Sequence, residues 1–211
     1  MHMRRDVADR IRNNWDWFDR YFKGLASLMT RIRSQVEEAL QTGEQTTSGY
    51  YYSPVPTLAG YYALPNPIVY ACKPKENQVA SVVAILSDKK MPTRKLVPVG
   101  YAVGISAALD LAGKFGDKWE PIIAVMVDNR CTNERRLRGN VSVRYGCVDK
   151  LDTESGLFQG KLEWPLTGEV RFAGRYVPLD KFSAARVKND DDLGTAINDE
   201  LVKHLKDVKL Q

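Results

Sequence analysis

Residues 8–40 read ADRIRNNWDWFDRYFKGLASLMTRIRSQVEEAL, and the fold expectation starts from their spacing. Ala8, Ile11, Trp15, Phe18, Phe22, Leu25, Met29, Ile32, Val36 and Ala39 recur in alternating steps of three and four. That is the 3.5-residue period of a packed helical seam. Arg12, Asp16, Asp19, Arg20, Lys23, Arg31, Arg33 and Glu37 fall off the seam. At 1.5 Å per residue the helix is roughly 48 Å long, so it crosses the whole body or meets a partner. A seam that covers a sheet would bury one side. A strict 3.5 period over more than four heptads fits a second helix better. The expectation is therefore self-association through Ile11, Trp15, Phe18, Phe22, Leu25, Met29, Ile32 and Val36, with Trp17 and Tyr21 facing the body. Gly24 is the weak point of this helix and a place for a bend.

Outward from that stretch, the prolines divide the chain. All ten lie between Pro54 and Pro178, and proline is excluded from helix interiors. The chain thus parses as a helical arm (1–41), a polar linker (42–49), a sheet-rich body (50–188) and a C-terminal helix (189–211). Ile68 to Cys72, Val79 to Leu86 and Ile122 to Val127 read as strands, the last two apolar on both faces and hence central. Leu96 to Val103 is a further candidate strand, broken by Pro98 and Gly100. Ser106 to Phe115 reads as a short helix capped by Ser106 and ended by Gly116, so the region looks like a strand–helix–strand unit.

Val141, Val143, Tyr145 and Cys147 alternate with polar neighbours, the mark of a half-buried strand. Leu162, Trp164, Leu166 and then Val170, Phe172, Tyr176 form a hairpin around Thr167-Gly168. In the last arm, Leu193, Ile197, Leu201, Leu205 and Val208 share a face, and Asp190, Asp191 and Asp192 sit at its positive end. The fold class expected is α+β: a mixed, mostly antiparallel sheet with one inserted helix, flanked by the two terminal helices.

Composition narrows the chemistry. Of 211 residues, 44% are hydrophobic and 27% charged, which is ordinary for a globular protein. The longest apolar run, Ile122 to Val127, is far short of the ~20 residues that span a bilayer, and the charged start carries no apolar leader. Cys72, Cys131 and Cys147 are an odd set without close spacing, which points to a reduced, cytoplasmic setting. Histidine occurs only as His2 and His204, so a Ser–His–Asp or Cys–His device is disfavoured. Neither zinc-ligand spacing nor a phosphate loop is present, and no cofactor is implied.

Two basic clusters stand out: Arg130, Arg135, Arg136, Arg138 and Arg144, and Lys89, Lys90, Arg94 and Lys95. Arginine forks suit phosphate, and the tyrosines between Tyr50 and Tyr70 are available for base stacking. The net charge of +5 permits an anionic partner without requiring one. The leading expectation is a non-catalytic cytoplasmic binding protein whose basic surface meets nucleic acid. One alternative is a Mg²⁺-dependent phosphodiester enzyme centred on Asp128, at the end of an apolar strand, with Glu120, Asp110, Asp149 or Asp152 as second ligand. Asp128-Asn129 also reads as the start of a turn. A nuclease pattern ending in Asp88-Lys89-Lys90 lacks its upstream acid. A third reading is a protein-interaction subunit that docks through the long helix.

Overall fold

The computed structural model describes residues 23–40, 51–52, 68–72, 79–85, 96–115, 120–129, 140–164, 168–183, 186–206, 208 and 210. Within them the chain is an α+β protein. Residues 23–39 form helix α1. The strands are β1 (Tyr51–Tyr52), β2 (Ile68–Ala71), β3 (Val79–Ile85), β4 (Leu96–Pro98), β5 (Ile122–Asp128), β6 (Asn140–Ser142), β7 (Val148–Leu151), β8 (Leu157–Trp164) and β9 (Gly168–Pro178). Helix α2 spans Val99–Lys114 and α3 spans Asp190–Glu200, followed by a 3₁₀ turn at Val202–Leu205. Seven strands form one sheet in the order β1-β2-β3-β5-β9-β8-β7, and β4 pairs β6 in a separate ribbon. Every pairing among the described strands is antiparallel.

The sheet has helices on both faces. Val83 and Ile85 of β3 and Ile122, Ala124 and Met126 of β5 join α2 in one core. The alternate residues Ala80, Val82, Ala84, Ile123, Val125 and Val127 join α1, α3 and the 3₁₀ turn in the other. Burial on both faces is why β3 and β5 are apolar without alternation. Gly104 brings α2 down onto the sheet: a Cβ there would meet Val69 Cγ1 at 3.0 Å.

The described half of the seam is occupied by the chain's own sheet. Leu25, Met29, Ile32 and Val36 are at most 4% exposed and belong to the core under α1. This corrects the expectation that these four make an oligomerisation seam. The physical reason is that β3 and β5 present a flat apolar face that needs covering, and three-and-four spacing serves that face as well as it serves a second helix. Ile11, Trp15, Phe18 and Phe22 lie outside the described residues, as does the linker at 42–49. The two arms do meet: the Arg31 guanidinium donates to Asp190 Oδ1 at 2.7 Å and to its carbonyl at 3.1 Å.

Several local expectations change. Leu96 to Val103 is a strand only as far as Pro98, after which the helix begins. Proline suits that position because Pro98 immediately precedes the helix, where it has no intrahelical N–H bond to lose. Ser106 is therefore a buried residue in mid-helix and caps nothing. The strand–helix–strand order is present as β4, α2 and β5, and β3 and β5 are antiparallel neighbours in the sheet. The last arm stops being α-helical at Glu200 and tightens, which seats Leu201, Val202 and Leu205 on the sheet. Asn189 caps α3 by accepting from the Asp192 N–H at 2.8 Å.

The expected hairpin is present, with Trp164 opposite Gly168. Its interior holds two crossed pairs. Phe158 faces Gly174 and Phe172 faces Gly160, and each ring lies across the glycine opposite it. Both rings are at most 2% exposed.

Candidate functional site

The expected strand at Val141 to Cys147 is interrupted, and the interruption shows what α2 contributes. Only Asn140–Ser142 pairs with a strand, namely β4. Beyond it the backbone amides turn to side chains of α2. The Arg144 N–H donates to Ser106 Oγ at 3.0 Å, the Gly146 N–H to Asp110 Oδ1 at 2.9 Å, and the Val148 N–H to Asp110 Oδ2 at 2.7 Å. Gly146 has φ of +75°, which lets the chain bend between the two carboxylate bonds. Asp110, expected as a metal ligand, thus serves as an acceptor for backbone. The signal in the sequence was one acid in an otherwise apolar helix, since a buried carboxylate needs several donors.

Asp128 is fully buried at the end of β5. Its companions are not where a shared cation needs them. Glu120 lies at the far end of the same strand, more than ~20 Å away. Asp128 stands level with Phe172, Gly160 and Val148 in successive strands. Asp149 and Asp110, which flank or bind Val148, are therefore about 14 Å off. Asp152 follows β7, and its N–H donates to the Leu157 carbonyl, in a row that meets β5 at Val125. No group of three or more His, Cys, Asp or Glu stands together as a metal site among the described residues. Asn129 extends the β5–β9 ladder: its N–H donates to the Arg171 carbonyl at 3.1 Å, and its Oδ1 accepts from the Arg171 N–H at 2.8 Å. Ser81, Ser106, Asp110 and Asp128 are the buried polar residues described, and Ser81 Oγ has no hydrogen-bond partner among them.

Of the basic candidates only Arg144 is described. It is exposed and pairs with Glu163 at 3.5 Å. Arg130, Arg135, Arg136, Arg138, Lys89, Lys90, Arg94 and Lys95 lie outside the described residues. Their points of attachment do not. The segment with the four lysine and arginine side chains of 86–95 runs into Leu96, and the segment 130–139 runs into Asn140. Leu96 pairs with Ser142 and Pro98 with Asn140, so these two joints are diagonal corners of one ribbon. Strand geometry puts them about 8 Å apart. Tyr51 and Tyr52 form β1 and Tyr70 is buried in the α1 core; Tyr50, Tyr61 and Tyr62 lie outside the described residues.

Cys72 and Cys147 are free and buried. Burial, helped by the Asp110 charge, pushes the Cys147 thiol up to about 12. Burial and then Glu37 push Cys72 up as well. Both are core thiols held protonated, which removes them as nucleophiles. Cys131 lies outside the described residues.

A recess of about 440 Å³ lies at the opposite end of the sheet, where β5 begins and β9 ends. Arg175 is its central cation. Its Nε donates to the Ser155 carbonyl at 3.0 Å, Nη1 bonds His204 Nε2, and Nη2 lies 3.8 Å from Glu200. Lys181 donates to the same Glu200 at 3.2 Å. Arginine has no acceptor, so a hydrogen bond between the two needs His204 Nε2 to accept. Burial first, then the charges of Arg175 and Lys203, hold the His204 pKa below its ordinary value, with Glu200 opposing. Nothing in the spacing of these residues along the chain announced this cluster.

The sign of the pH effect follows. The unfolded chain takes up the His204 proton more readily than the folded one, so the stabilisation is present above the ordinary histidine pKa and lost as pH falls through that range. Thermal melts at pH 7.5 and 5.5 are expected to show a larger loss for the native protein than for His204→Gln.

No family model matches the chain, and neither a curated protein nor a solved structure does.

Proposed function

We propose that the chain is a non-catalytic binding protein that presents two basic segments, joined at one ribbon, to an anionic partner, nucleic acid being the polyanion that suits them. The observation that supports this reading is the partition of charge. Two short segments together outweigh the surplus of the whole chain, which carries 31 Lys and Arg against 26 Asp and Glu. Residues 86–95 set Lys89, Lys90, Arg94 and Lys95 against Asp88, and residues 130–139 set Arg130, Arg135, Arg136 and Arg138 against Glu134. Each segment nets +3, and both join the β4–β6 ribbon. A chain whose other residues nearly balance, and whose surplus sits in two segments that join one ribbon, suits a phosphate backbone, whose counterions are released on binding.

Binding of a labelled duplex and a labelled single strand, measured as salt is varied, tests the proposal. The expected slope of log K against log salt is roughly −4 to −7. Combining Arg135→Gln, Arg136→Gln and Arg138→Gln should make it shallower by about 2 to 3. A flat salt response, or no binding at low salt, overturns the reading.

Self-association, where it operates, rests on Ile11, Trp15, Phe18 and Phe22 and would double the basic surface. Light scattering is expected to give a smaller mass when these four are changed together to serine. An unchanged mass removes that part.

A further inference from the structure

The recess at the Glu120 end of the sheet is not needed for polyanion binding, and its lining selects for a different guest. One wall is aromatic: Phe115 and Tyr176 meet edge to face, with ring centroids 4.9 Å apart and planes at 65°. Ile122 continues that wall. The cations of the recess are already engaged, because Arg175 and Lys181 both turn to Glu200 and Arg175 also holds Ser155 and His204. The carboxylates at the mouth are not. Glu120 and Glu154 are exposed, and among the described residues neither makes an ion pair.

We propose that this recess binds a primary ammonium group carried on a short hydrocarbon chain, with Glu120 and Glu154 taking the charge and Phe115, Tyr176 and Ile122 covering the chain. The balance of charge decides the sign of the guest. Among the described residues, Glu200 leaves one positive charge of its two partners uncompensated, against the carboxylates of Glu120 and Glu154 in the lining and of Asp152 near Tyr176. An anion would have to displace Glu200 from Arg175 and Lys181, whereas an ammonium displaces only water. Aromatic faces add attraction for a cation and area for its chain. The Tyr176 hydroxyl reports the same field: burial raises its pKa first, and the Asp152 and Glu120 charges raise it further. A volume of about 440 Å³ falls within the range of small-molecule sites, roughly 300–1,000 Å³.

Titration of the isotope-labelled full chain with 1,4-diaminobutane, N-acetyl-lysine amide or butyrate, followed by amide NMR shifts, tests this. Both amines are expected to give saturable shifts at Gly156, Tyr176 and Ile122 in the millimolar range. Tighter binding of the diamine assigns a free polyamine as the guest, and tighter binding of the lysine derivative assigns a lysine side chain of a peptide. Glu120→Gln combined with Glu154→Gln should weaken the amines about tenfold, and since both side chains are exposed the fold should be kept. No saturable shift, equal binding by the double variant, or butyrate binding as well as the amines would overturn the proposal. Because no basic segment takes part, these outcomes are independent of nucleic-acid binding.

Discussion

Replacing Asp110 with alanine is expected to destabilise the fold by about 3 kcal/mol, the largest effect of any single side chain facing the interrupted strand. The carboxylate accepts the N–H groups of Gly146 and Val148, and Val148 is buried. Without it, the buried Val148 N–H and the part-buried Gly146 N–H would both lose the acceptor they have. Each such orphan costs ~1–3 kcal/mol. Asp110→Asn keeps one oxygen acceptor and should recover about half of the loss. In a chain of this size ~3 kcal/mol lowers Tm by roughly 6–12 °C. Urea unfolding measures the energy, and amide exchange shows whether the loss is local: Gly146 and Val148 should lose protection first. If Asp110→Ala unfolds within about 0.5 kcal/mol of the native protein, the side chain is not the strand's substitute partner.

The second large effect is steric. Alanine at Gly160 would drive its Cβ into the Cys147 carbonyl and the Phe172 ring, and alanine at Gly174 would meet the Val125 carbonyl and the Phe158 ring. Both rings are locked in the α2 core, so neither can yield cheaply. Gly160→Ala is expected to cost about 3 kcal/mol or more. Two other glycines calibrate that figure. Gly146 has open space where a Cβ would stand but a φ of +75°, so alanine should cost only ~1 kcal/mol. Gly24 lies in helix α1 with nothing within 4 Å, so alanine should stabilise by up to ~1 kcal/mol. Denaturant midpoints of the three variants measured together give the order. A Gly160→Ala protein as stable as Gly146→Ala would mean that the crossed phenylalanine–glycine pairs are not tightly packed.

These two effects also mark the limit of what the chain announces. The α+β class, the central strands Val79–Ile85 and Ile122–Asp128, the hairpin of Leu157–Trp164 with Gly168–Pro178 and the start of the last helix at Asp190 all follow from local pattern. Period, turn residues and apolar runs act over a few residues, so they can be read from a few residues. The expected strand at Val141 to Cys147 is interrupted for the same reason: alternation reports which side is buried and says nothing of what receives the N–H groups. Ser106 and Asp110 receive them from 38 and 36 residues away.

The seam of the first helix is the plainest case. Its three-and-four spacing determined by itself that Leu25, Met29, Ile32 and Val36 lie on one side and are buried. Which surface they are buried against was decided only when β3 and β5 paired and left a second apolar face uncovered. Hydrophobic burial has no direction of its own, so a stripe fixes its own orientation and leaves its partner to the rest of the fold. The recess is likewise a product of tertiary structure alone. Phe115, Glu120, Glu154, Tyr176 and Glu200 come from five parts of the chain, and charge complementarity has meaning only at the distances that folding imposes.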